Sequence, residues 1–201
     1  PEAMRQRDSR SAQEGSVAQR VQEFYERNPY PPPVKTLDDY CKIWSDPVRR
    51  RADYALYWPD DGPGPDRTIL VAGCGTSQAA RHAMRWPEAQ VIGIDVSATS
   101  IRRTQTLKKK YSLENLTLHQ MPIEHVGELG AQADQIVCTG VLHHLPDPDL
   151  GLLALRKVLA PSGAMQLMLY APYGRTGIYL LQDYCRKLGL GPSKSDIQHL
   201  K

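Results

Sequence analysis

The spacing of apolar positions changes along the chain. From residue 66 onward, short apolar runs alternate with stretches whose apolar residues recur every three or four positions. This predicts strands at 68–72, 91–95, 115–119, 134–139 and 164–170, and helices at 77–86, 98–111, 148–159 and 176–189. The strands are rich in Ile, Val and Leu, and their connections are long enough for crossovers. The expected fold class is therefore α/β, a doubly wound, mostly parallel sheet with helices on both faces. Ser97 is placed to cap the second helix, and Leu150, Leu153, Val158 and Leu159 to supply the apolar stripe of the third.

Before residue 66 the pattern differs. Residues 1–12 are polar and charged, a composition that predicts disorder. A helical pattern with Val17, Val21, Phe24 and Tyr25 on one face stops at Asn28-Pro-Tyr-Pro-Pro-Pro33, where the prolines force a stiff, extended segment. A second helical region runs roughly from Asp46 to Trp58, carrying Val48, Ala52, Ala55 and Leu56, and the turn-rich Pro59-Asp-Asp-Gly-Pro-Gly-Pro65 follows it. The expected organisation is 1–65 as an N-terminal helical and proline-rich extension, a candidate lid, and 66–201 as the α/β domain.

The first predicted strand breaks into Gly73-Cys-Gly75. The second ends on Asp95, about twenty residues further on, the distance at which a carboxylate can take a ribose diol beside a glycine turn. Glycine permits positive φ and close backbone approach, and the following helix offers free N–H groups. A packing turn and a helix-capping acid explain each element separately, while the two together point to a nucleoside. A dinucleotide fingerprint wants glycine where Gln78 stands, which disfavours a nicotinamide-dependent oxidoreductase.

At this point the chain resembles the class I S-adenosylmethionine-dependent methyltransferases, from about Arg67 to Tyr173. The resemblance rests on Leu70-Val-Ala-Gly-Cys-Gly-Thr-Ser77, Ile94-Asp-Val-Ser97, Asp134-Gln-Ile-Val-Cys-Thr-Gly-Val-Leu-His-His-Leu-Pro-Asp147 and Leu155-Arg-Lys-Val-Leu-Ala-Pro-Ser-Gly163. It implies S-adenosylmethionine as cofactor, with Ala72, Gly73, Cys74 and Gly75 lining its methionine part, Asp95 holding the ribose and Val96 beside the adenine. Met121, Pro122 and Ile123 would flank the other adenine face, and Thr139, Gly140 and Val141 would pass beneath the sulfonium. The sequence departs from the pattern at Val71, where an acid usually stands, at Ser77, usually glycine, and at Gln120 and Met121, where another acid is often found.

His143 and His144 would lie at the rim where the acceptor enters. Either is a candidate base for a protonated oxygen or nitrogen acceptor, or a loop-packing residue. Tyr25 and Tyr30 belong to a lid or to a stiff strap. Tyr170, Tyr173 and Arg175 follow the fifth predicted strand, from which side chains reach an acceptor pocket, although a helix-start arginine is also commonly solvated. Adjacent histidines without other clustered ligands make a poor metal set, so no metal is expected.

The 25 basic and 22 acidic residues leave a formal charge of +3, too small to require a nucleic-acid partner. The segment Thr139-Gly-Val-Leu-His-His144 also lacks the Asn-Pro-Pro-Tyr pattern of nucleic-acid amino-group methyltransferases. The acceptor expected is a small molecule or a protein. The alternative is a non-catalytic cofactor-binding module acting through a protein partner. No apolar run reaches the ~20 residues of a membrane span. Cys41, Cys74, Cys138 and Cys185 are scattered, three of them in apolar or helical patterns that suit small buried hydrophobes, so a reduced cytoplasmic setting is expected. The family normally continues beyond the fifth helix. The apolar fifth strand is thus expected to be covered by a second copy in a homodimer or by an additional C-terminal segment of a longer chain.

Overall fold

The computed structural model describes residues 17–59, 67–191 and 193–198. The expectations for residues 1–12 and for most of the 59–65 turn lie outside the described residues. Five strands form one sheet: β1 (Thr68–Ala72), β2 (Gln90–Asp95), β3 (Leu116–Gln120), β4 (Ala133–Thr139) and β5 (Leu159–Met168), in the order β3-β2-β1-β4-β5 with every pair parallel. The chain leaves β1 in one direction and returns to β4 on its other side. The crevice at the carboxyl ends of β1 and β4 is therefore the topological switch point.

Side-chain alternation divides the core between the two faces. Ile69 and Val71 pack with Ala79, Ala80 and Ala83 of α4 (Gln78–Arg85) and Leu107 of α5 (Ala98–Tyr111). Leu70 and Ala72 face the opposite cluster, with Ile123 and Val126 of a 3-10 turn and Leu155 of α6 (Pro148–Val158). Here α4 to α6 are numbered after α1 (17–27), α2 (Asp38–Trp44) and α3 (Pro47–Ala55). Ser97 caps α5 as expected, its Oγ accepting the Ser100 N–H at 3.1 Å.

Several details differ from the sequence pattern. The buried stripe of α6 is Gly151, Leu155 and Val158, while Leu150 and Leu153 are exposed. The helix approaches on its glycine side, where a Cβ at Gly151 would lie 3.1 Å from both Leu142 and Leu145. α3 ends at Ala55 and buries Tyr54, with Trp58 beyond it; Val48 and Leu56 are exposed because the larger rings supply the buried area. Likewise Phe24 is exposed in α1. α2 went unpredicted because its sequence, Asp-Asp-Tyr-Cys-Lys-Ile-Trp, has no buried residue to mark a face. β5 begins at Leu159, where the chain turns extended directly from α6. Of the four thiols, all free, only Cys74 and Cys138 are buried, so the third buried cysteine expected is corrected.

Contacts divide the chain into two units at Met168. The described residues before 60 belong with the sheet: Leu37 is 2% exposed within the β1 and α4 cluster. The second unit, from Leu169 onward, contains a 3-10 turn (Tyr173–Arg175), α7 (Thr176–Lys187) and α8 (Lys194–Gln198).

Candidate cofactor and acceptor site

The site is built where β1 stops. Gly73 and Gly75 take φ of +69° and +54°, the left-handed region that penalises side chains. The N–H groups of Gly73 and Cys74 both donate to the Ile94 carbonyl at 2.9 Å, folding the turn over the end of β2. The Gly75 N–H donates to Asp95 Oδ2 at 2.8 Å, and the Ser97 N–H to Oδ1 at 2.9 Å. Asp95 thus joins the glycine turn to the start of α5. Burial raises its pKa, opposed by the N–H groups of Ser97, Gly75 and Val96, and the nearby Glu26 charge raises it further.

Side chains could not replace these glycines without collision. A Cβ at Gly73 would stand 2.4 Å from a Val141 methyl, and one at Gly75 would stand 2.5 Å from the Tyr30 carbonyl oxygen. The Tyr30 ring is 67% exposed, so its backbone, and not its ring, reaches the turn. Thr76 Oγ1 fastens this contact by donating to the Pro31 carbonyl at 2.7 Å. Thr104 Oγ1 donates to the Gly75 carbonyl at 2.9 Å from within α5.

α1 lies across this edge on one helical face. Gln22 Nε2 donates to the Val96 carbonyl at 3.2 Å, and Tyr25 OH meets His144 Nε2 at 3.0 Å. Glu26 Oε2 accepts the Thr99 hydroxyl at 2.5 Å and the Thr99 N–H at 3.2 Å. The Thr99 hydroxyl bond is the main reason that the Glu26 carboxyl is held below its ordinary range, and its charge also suits the N-terminus of α5. Residues 22, 25 and 26 therefore pin α1 to β2, α5 and the loop after β4 together.

That loop begins at Thr139, whose Oγ1 accepts from Gln78 Nε2 at 2.8 Å, and turns at Gly140, φ +74°. Val141 sends its side chain onto Gly73. The buried Leu142 anchors the 3-10 turn carrying His143 and His144, whose rings lie 4.2 Å apart.

Most of the residues singled out from the sequence in the first unit meet along this edge. Met121 continues it, donating its N–H to the Asp95 carbonyl at 3.0 Å; Pro122 is exposed and Ile123 is 5% exposed, packed in the core. Tyr170, Tyr173 and Arg175 belong to the second unit, where the Arg175 guanidinium stacks 3.8 Å over the Tyr170 ring and Tyr173 is almost fully exposed. Sequence reasoning missed Gln22, Glu26, Thr76, Gln78, Thr104 and Gln120, which donates to the Val96 carbonyl at 3.2 Å. The only available signal was the one-face spacing of Gln22 and Glu26 around Tyr25. Among the described residues no group of three His, Cys, Asp or Glu side chains is placed to hold a metal.

The edge fits a nucleoside with a charged tail. Each Asp95 oxygen accepts one N–H in the bonds above and retains acceptor capacity for a diol. The Ser77 hydroxyl, 1% exposed at the start of α4, has no partner among the described residues. Val71, where an acid is usual, is fully buried in the core and adds no polar group.

Comparison with known proteins gives the same class. Residues 69–163 match the family described as "Methyltransferase domain". An uncharacterised protein of Synechococcus sp. is 34% identical over 181 residues, covering 86% of this chain and 42% of the relative. The ubiquinone biosynthesis O-methyltransferase of Acinetobacter baumannii is 26% identical over 120 residues, 58% of this chain and 50% of that protein. The solved structure of PKMT2 from Rickettsia typhi superposes with a TM-score of 0.51 at 26% identity, covering 61% of this chain and 24% of that one. The chain thus spans half or less of the length of these relatives. Its sheet-bearing part is similar to methyltransferase domains of class I, and that similarity implies S-adenosylmethionine as the cofactor.

Proposed function

We propose that the protein transfers a methyl group from S-adenosylmethionine to a small-molecule or protein acceptor. The observation that carries this reading is Asp95, a buried carboxylate fixed by the Gly75 and Ser97 N–H groups at the carboxyl end of β2. In this reading Asp95 takes the ribose hydroxyls, the backbone from Ala72 to Gly75 and the Ser77 hydroxyl hold the amino-acid end, and Val96, Met121 and Pro122 border the adenine. Thr139, Gly140 and Val141 run beneath the reacting centre. The bound cofactor supplies an electrophilic methyl group on a sulfonium.

The chain's own contribution is alignment and exclusion of water, which carry much of such a displacement. α1 and the Tyr30-Pro31 segment cover the glycine turn. For a hydroxyl or amine acceptor, His144 takes the leaving proton at Nε2 as the acceptor displaces the Tyr25 hydroxyl from that atom, with His143 packed beside the ring. The kinship with an O-methyltransferase supports a hydroxyl acceptor. A cytoplasmic setting accords with four free thiols, and among the described residues no helix is long and apolar enough to cross a membrane. A second copy, or a further segment of chain, against the exposed Leu167 and Met168 of β5 belongs to this proposal.

A second reading, a cofactor-binding module without catalysis, is favoured by the buried Val71 in place of the usual acid. Release of S-adenosylhomocysteine, followed by mass spectrometry across phenolic, carboxylate and protein acceptors, separates the two. Turnover with any acceptor, reduced in kcat by His144→Gln at unchanged cofactor affinity, supports the enzyme. Cofactor binding without turnover on any acceptor supports the module.

A further inference from the structure

A cavity lies at the opposite end of the sheet from the glycine turn. It holds about 290 Å3, close to the lower end of small-molecule sites. Its floor is Ile69, near the start of β1, and Ala89, just before β2. One β1 length, roughly 16 Å, separates this floor from the methyl-transfer site. Three rings form the walls. Tyr54 stands 4.7 Å from Trp58 and 6.0 Å, edge-on, from Trp86, so the space is bounded by flat apolar faces.

Among the described residues, charge at the cavity is mostly positive. Arg67 is already committed, pairing with Asp134 at 3.3 Å and lying 4.9 Å over the Trp58 ring. Arg50 and Arg51 project from the same turn of α3 as the cavity wall, and among the described residues neither enters an ion pair. Among the described lining residues Glu88 is the one acid, set against three arginines. Asp53, also on α3, is held by Arg85 at 3.0 Å, and the Arg85 guanidinium lies 3.7 Å over the Trp44 ring. The helix is therefore locked by side chains other than Arg50 and Arg51, which leaves these two guanidinium groups available at the rim.

We infer that this cavity is a second binding site, for a flat apolar anion whose body lies between the aromatic walls and whose carboxylate or phosphate pairs with Arg50 and Arg51. Guanidinium groups suit both head groups bidentately, and the rings contribute area burial with little loss of freedom. The inference is independent of the methyl-transfer reading, because none of the cavity residues touches Asp95 or the glycine turn in the contacts above.

The test uses 1-naphthoate, 1-naphthyl phosphate and the neutral 1-naphthalenemethanol as probes, by calorimetry and saturation-transfer NMR on the whole chain. At least one anion is expected to bind about tenfold or more tightly than the alcohol, the preferred one identifying the head group. In Arg50→Gln/Arg51→Gln the preference should vanish while the melting temperature and S-adenosylhomocysteine affinity stay unchanged. Binding should persist in the presence of saturating S-adenosylhomocysteine. Absence of binding by either anion, equal binding of anion and alcohol, an unaltered preference in the variant, or displacement by S-adenosylhomocysteine would each overturn the inference. A variant that loses its fold is replaced by the single Arg51→Gln change, at an exposed position, with the same criteria.

Discussion

The two ends of one parallel sheet are built from opposite materials. At the carboxyl ends of β1, β2 and β4 the surface is backbone: three glycines with positive φ, a carboxylate held by N–H groups, and a helix laid across them through Gln22, Tyr25 and Glu26. At the amino ends it is side chain: Tyr54, Trp58 and Trp86 with the guanidinium groups of α3 and Arg67. Backbone donors in fixed positions recognise a ligand by close approach and tolerate no added atom. Rings and arginines recognise by area and charge, and single changes there leave neighbouring contacts intact. The comparison teaches that the carboxyl edge should be brittle and the amino edge forgiving.

The largest contrast is expected between Gly75→Ala and Asp134→Ala. The first forces a left-handed residue against the Tyr30 carbonyl, at 2.5 Å, and should destabilise the protein by about 3 kcal/mol while removing cofactor binding. The second removes the Arg67 ion pair and the acceptor of the Thr68 N–H, costing about 2 kcal/mol with cofactor affinity preserved. Urea denaturation alongside calorimetric titration reads both. Equal effects on cofactor affinity would break the distinction between the two ends.

A smaller effect is expected at Glu26→Gln, which weakens the clamp of α1 on α5 by less than about 1 kcal/mol. The Glu26 pKa is lowered in the folded protein. Its contribution is therefore present above the ordinary carboxylate value and lost as pH falls through the lower folded value. Hydrogen-exchange protection of residues 17–27 should fall on acidification in the wild type and be lower at neutral pH, with less further dependence, in the variant. No difference between the two at neutral pH would remove Glu26 from the clamp.

The carboxyl edge was largely legible in the sequence because its parts are contiguous. Gly73-Cys-Gly75 and Ile94-Asp95 each sit at the end of an apolar run, and the chain order of the runs sets which edge they share. Gly151 shows the limit of that logic: the apolar stripe Leu150 and Leu153 pointed outward because the helix approaches on its smallest residue. Ile123, which the resemblance places beside the adenine, is buried in the 3-10 turn after β3 and packs in the core, a burial that its sequence neighbourhood does not mark. The amino-edge cavity could not be read at all. Its wall comes from residues 47–58, 67–69 and 86–89, brought together only by packing of α3 on the sheet edge, and no local pattern marks them.

The central claim is that the carboxyl edge, through Asp95, binds S-adenosylmethionine. Calorimetric titration of the wild type and Asp95→Asn with S-adenosylmethionine, repeated as pH is lowered, tests it most directly. The account predicts binding that weakens about a hundredfold in the variant. Because burial raises the Asp95 pKa, wild-type affinity should begin to fall at a pH above the range of a solvated aspartate, whereas the variant should lack that component. Equal affinity in wild type and variant, or no binding by the wild type, would contradict it.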